Sequence, residues 1–101
     1  MEKFIKDGQI AVLVSPGYGA GWSTWNNYPA SVFDPDIVKA ILANDITKAC
    51  EIASEKYPEA YQGGMEDLIV EWIDEGTMFQ IKEYDGYESI DIFGDASYLT
   101  A

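Results

Sequence analysis

The apolar positions of this chain change period along its length, and each change predicts an element. Gln9-Ile10-Ala11-Val12-Leu13-Val14 is a continuous apolar run rich in β-branched residues, ending at Ser15-Pro16-Gly17. Its length and flanks predict a strand buried on both faces. Residues 16–33 lose the pattern and carry Gly17, Gly19 and Gly21 among two tryptophans and two tyrosines, the composition of a loop. At Asp34-Pro35-Asp36 a helix opens: Asp34 can cap free N–H groups and Pro35 suits the first helical position. Ile37, Val38, Ile41 and Leu42 form its stripe. Asn44-Asp45 breaks it and caps a second helix, in which Ile46, Ala49, Cys50, Ala53 and Tyr57 fall at helical spacing until Pro58. A short helical turn over 58–62 would close at Gly63-Gly64.

The last third alternates and reads as a three-stranded meander. With Asp85-Gly86 as a two-residue turn, Tyr84 faces Tyr87, Ile81 faces Ile90 and Phe79 faces Ile92. With Glu75-Gly76 as a second such turn, Trp72 faces Phe79 and Val70 faces Ile81. Both turns place Val70, Trp72, Phe79, Ile81, Ile90 and Ile92 on one face, an agreement that a one-residue slip would destroy. The expected fold is α+β, in the order β-α-α-β-β-β, with an antiparallel sheet packed on two short helices in two layers.

Composition adds bounds. With 48 % apolar and 14 % aromatic residues, the 101-residue chain can bury a core and is expected to form a single domain over 1–101. No apolar run approaches the roughly 20 residues of a membrane span, and the start at Met1 lacks the apolar stretch of a signal peptide. Cys50 stands alone, which excludes an internal disulfide and fits a reducing cytoplasm, the expected compartment.

Charge and missing residue types narrow the chemistry further. Eighteen acids against six lysines give a net charge of −12, with no arginine and no histidine. Such a chain repels nucleic acid and anionic membranes and attracts basic protein surfaces. Without histidine the usual nucleophile–base pairs and the commonest metal ligand are missing, and one cysteine cannot build a zinc site. The expectation is a protein that is not an enzyme, with no catalytic residue, no metal and no cofactor.

Two surfaces stand out as candidates for binding. In the loop, Gly17, Gly19 and Gly21 let backbone N–H groups approach a ligand, Tyr18, Trp22 and Trp25 can stack, and Asn26 offers hydrogen bonds. The alternative is an aromatic-pinned structural loop. No helix opens from these glycines and no GK[ST] follows, against a dinucleotide or phosphate site. In the meander, residues 65–95 hold ten acids and one base, Lys82. Glu83 stands opposite Glu88, Glu71 and Asp91 fall on the outer face, and Tyr84 and Tyr87 lie beside them. An acidic face with exposed aromatics is what a nucleic-acid mimic presents to a basic groove; the plainer reading is a surface that keeps the protein soluble.

The Ser15-Pro16-Gly17-Tyr18-Gly19-Ala20-Gly21-Trp22-Ser23-Thr24-Trp25-Asn26 run resembles that of small acidic proteins of phages and prophages, and Glu71-Trp72 to Glu75-Gly76 and Glu83-Tyr84-Asp85-Gly86 fit the same likeness. The resemblance implies a host-takeover or anti-defence role, akin in size and charge to anti-CRISPR inhibitors. The leading expectation is therefore a non-enzymatic inhibitor that binds a basic host protein, such as a nucleic-acid-handling defence component. A binder of nucleotide signals built on the 17–26 loop and an assembly accessory of a phage particle are the rivals.

Overall fold

The computed structural model describes residues 3–16, 22, 29–58, 68–84, 87–92 and 99–100. The apolar run forms a strand, β2 (Gln9–Val14), which lies between β1 (Ile5–Lys6) and β3 (Ile69–Asp74) in an antiparallel sheet. A hairpin joins β1 to β2 through Asp7 and Gly8, whose φ values of 53° and 77° are both positive, as a type I′ turn requires. β2 pairs with β3 over its whole length, from Gln9–Asp74 to Val14–Ile69.

Alternation along β2 splits the core in two, as expected of a strand buried on both faces. Ala11 and Leu13 join a cluster with Ile37, Val38, Ala49, Ala53 and Leu68, and Val70 and Trp72 of β3 pack against it. Ile10, Val12 and Val14 point the other way, into a cluster with Val32, Phe33, Ile73 and Phe79.

The first cluster is closed by α2 (Pro35–Leu42) and α3 (Ile46–Lys56). Asp34 caps α2 by accepting from the N–H groups of Asp36 and Ile37, with Pro35 beside it. α2 ends on Asn44 at φ 59°: the Asn44 N–H donates to the Ile41 carbonyl and the Asp45 N–H to that of Ala40, a Schellman closure. Asp45 then accepts from the Lys48 N–H and caps α3. Both helices follow the expected plan. A third helix within the segment expected to be loop, α1 (Pro29–Phe33), carries Val32 and Phe33 into the second cluster; its one sequence signal is Pro29 at the first position.

The meander is corrected. β4 (Met78–Tyr84) pairs with β5 (Tyr87–Asp91) on one side and with β6 (Leu99–Thr100) on the other, and β3 is no part of that sheet. The hairpin register holds as expected at Tyr84–Tyr87, Glu83–Glu88 and Ile81–Ile90. Its ladder ends at Gln80–Asp91, Phe79 pairs with Leu99, and Ile92 is exposed. The second expected turn fails for a backbone reason. The Thr77 N–H closes on the Asp74 carbonyl, but of the two central residues only Gly76, at φ 87°, has positive φ. That is the signature of a type II turn, whose twist splays strands apart. β4 therefore leaves the first sheet and packs Phe79 across its face, edge-on to Phe33 with ring centroids 6.1 Å apart. The expected shared face divides: Val70 and Trp72 lie against the first cluster, Phe79, Ile81 and Ile90 with the second. The arrangement is α+β with antiparallel sheets, α2 and α3 on one side of the first sheet, α1 and the second sheet on the other.

Candidate functional site

Parity along the β4–β5 hairpin decides what reaches solvent. Phe79, Ile81 and Ile90 turn to the core, so Met78, Lys82, Tyr84, Tyr87 and Ser89 turn outward, and all five are exposed. Tyr84 is 74 % and Tyr87 42 % exposed, side by side at the turn end of the hairpin. Glu83 has core-side parity but lies near that end and is exposed. Glu71 is also exposed but belongs to β3, in the other sheet. Asp91 pairs with Gln80 through the backbone, and its side chain lies outside the described residues. The four acids expected on one face are thus divided between two sheets.

Glu88 is the correction among them: it is 1 % exposed. It shares the parity of Ile90, so the register that sets it opposite Glu83 also turns it inward. Its Oε1 accepts from the Ser15 N–H and the Ser15 hydroxyl, each at 3.0 Å. The Glu88 N–H donates back to the Ser15 carbonyl at 3.0 Å, and the Ser15 hydroxyl oxygen accepts from the Trp22 N–H at 3.0 Å. A buried carboxylate costs several kcal/mol unless hydrogen-bonded (roughly), so these bonds specify where β5 meets the end of β2. Glu88 is a fastener between sheets and presents nothing to a partner.

The same junction accounts for Trp22. Its side chain is fully buried in the first cluster, which makes it a pin and removes it from any stacking surface. Gly17, Tyr18, Gly19, Gly21, Trp25 and Asn26 lie outside the described residues.

A second polar cluster, missed in the sequence, locks α2 to α3. Asp34 is buried and accepts from the Tyr57 hydroxyl at 2.8 Å and from Lys56 Nζ at 3.1 Å, while Lys56 also reaches Asp36 at 2.8 Å. Burial, then the bond to Asp34, pushes the Tyr57 hydroxyl up to about 12. Its bonds to the two aspartates, that to Asp36 foremost, raise Lys56, and the bond from Lys56 holds Asp36 below its ordinary range. At neutral pH Tyr57 is a donor and Lys56 a cation, and the cluster binds helix to helix. The signal was Asp34 and Lys56-Tyr57 at the two ends of the helical pair.

Between α2 and α3 runs an open groove of about 500 Å³, where Lys39, Lys48 and Lys56 alternate with Asp36, Asp45 and Glu55. Its lining charges balance, three lysines against three acids. Among the described residues no group of three or more His, Cys, Asp or Glu side chains is placed to hold a metal ion, and no helix is long and apolar enough to cross a membrane. Comparison with family models, with curated proteins and with solved structures returns no match to this chain.

Proposed function

We propose that this chain is a non-catalytic, phage-type inhibitor that binds a basic surface of a nucleic-acid-handling host protein in the cytoplasm. The observation that carries the reading is the turn end of the β4–β5 hairpin, where Glu83, Tyr84 and Tyr87 stand exposed on a chain of net charge −12. Tyrosines of this kind give contact area at low entropic cost and are enriched at interfaces. Acids beside them exclude anionic partners and draw in cationic ones. The burial of Glu88 narrows the surface: of the residues expected on it, Glu71, Glu83, Tyr84 and Tyr87 are exposed among the described residues. Burial of Trp22 weighs against the ligand-binding alternative.

The test is capture of host proteins on the immobilised chain and on a Tyr84→Ala/Tyr87→Ala variant, both at low salt. A basic nucleic-acid-binding protein retained by the parent and lost from the variant supports the reading. Equal retention by both removes the hairpin end from it.

A further inference from the structure

We infer that the outer edge of β3 is a docking site for an extended, basic segment of a partner, which adds to the first sheet as a fourth strand. This rests on the reading of the chain as a binder of basic proteins and names where and how such a protein is gripped.

The edge follows from the hydrogen-bond phase. In the β1–β2 hairpin, Gln9 pairs with Lys6 beside the turn, and the Ala11 N–H donates to the Phe4 carbonyl. Odd residues of β2 therefore direct their backbone groups to β1, and Ile10, Val12 and Val14 direct theirs to β3. Their partners Ile73, Glu71 and Ile69 are consumed by that ladder. Val70, Trp72 and Asp74 face the other way. The Asp74 carbonyl accepts from Thr77 in the turn, but among the described residues nothing pairs with the N–H and C=O of Val70 and Trp72. Such a row of groups is a template for an added strand. The usual edge defences of a proline, a lysine or a positive-φ residue are missing from β3.

The side chains define the occupant. Half-buried Val70 and Trp72 lie on the helix-covered face, where Trp72 also borders a recess of about 490 Å³ with Leu42 and Gln9. Exposed Glu71 lies on the opposite face of the strand, and Glu75 follows β3 in the turn. The matching strand alternates, apolar toward Val70 and Trp72 and basic toward Glu71. A second copy fits poorly, because it brings another charge of −12 to the same edge.

The probe is a blocked heptapeptide of alternating lysine and valine, followed by backbone amide exchange on the intact chain. The expected result is slowing of the Val70 and Trp72 amides by about tenfold, and affinity lower by about thirtyfold for a peptide N-methylated on alternate residues, since methylation removes its donors to the Val70 and Trp72 carbonyls. Glu71→Lys, at an exposed position, should weaken binding of the lysine–valine peptide, because it sets like charges opposite one another. Val70→Pro should abolish binding while leaving the β2–β3 ladder intact, because that N–H points outward. Binding with no protection at Val70 and Trp72, or indifferent to N-methylation, overturns the docking site and leaves the charge-driven reading standing. No binding of any basic peptide or protein at low salt overturns both. Concentration-dependent protection of the same amides without peptide overturns the basic occupant in favour of a second copy.

Discussion

Single residues carry the two polar fasteners, and each makes a prediction that separates it from its neighbours. The Tyr57 hydroxyl donates to buried Asp34, and its pKa rises from 10.0 to about 12. A raised folded value means the protonated form is favoured by folding, so its stabilisation is complete below pH 10 and lost as pH climbs toward 12. Tyr57→Phe should therefore cost about 1.5–3 kcal/mol at pH 8, the range for a hydrogen bond to a charged group. In urea titrations at rising pH, the gap between parent and variant should close across that window. Lys56 keeps the same aspartate partners in parent and variant, so its titration does not create the gap; a gap that persists undiminished would refute the assignment. At the other junction, Glu88→Ala strands the buried Ser15 N–H and should cost roughly 3 kcal/mol or more. Glu83→Ala, on an exposed acid directly opposite, should lie within about 0.5 kcal/mol of the parent. Equal losses in urea melts would contradict the inward placement of Glu88.

Elements show where local sequence carries information and where it stops. The strand at Gln9–Val14, the caps at Asp34 and Asp45, the break at Asn44 and the Tyr84–Tyr87 hairpin register all depend on neighbouring residues, and all were legible. The pairing of β3 was not, because Glu75-Gly76 and Asp7-Gly8 look alike as dipeptides and differ in the backbone they adopt. Asp7 accepts positive φ and Glu75 does not, so the first makes a hairpin and the second a crossover between sheets. An apolar, alternating strand fits either neighbour, and β2, buried on both faces, has room for β3 on its free side. Of the candidate site, Tyr84 and Tyr87 were legible from alternation alone. Glu88 shares the parity of Ile90, which turns it inward, but the Ser15 groups that make its burial tolerable stand 73 positions away and leave no local signal. The turn difference can be measured. Gly76→Ala and Gly8→Ala meet no atoms within 4 Å, so strain at positive φ is the only cost, about 1 kcal/mol each. Replacing Glu75-Gly76 by Asn-Gly favours a type I′ turn and should pull β4 away from its packing on Ile73, seen as loss of the Phe33–Phe79 contact by NMR. An unchanged contact and an unchanged melt would mean that packing, and not the turn, directs the crossover.

At the scale of the whole molecule, charge is the property that local structure does not use up. The two fasteners occupy Asp34, Asp36 and Glu88, whereas Glu71, Asp74, Glu75 and Glu83 remain exposed. If those groups steer the chain to a basic partner, converting Glu71, Glu75 and Glu83 to Gln should leave the fold intact, since none has a buried side chain. Stability should hold or rise slightly as self-repulsion falls. Partner affinity should drop, chiefly through slower association, because complementary charge acts on encounter before it acts on contact. The parent's association rate should fall steeply as salt shortens the screening length below about 8 Å, and the variant's should respond less. Nucleic acid bound by the partner should compete with the chain for the same surface. Glu88→Gln belongs in the same series as an internal control: it removes one charge and keeps an acceptor for Ser15, but from a position no partner reaches. It should therefore change melting and leave association unaltered. Stopped-flow binding across a salt series reads all of these at once. A triple variant that associates as fast as the parent, with the same salt slope, would show that the exposed acids serve only to keep the chain dispersed.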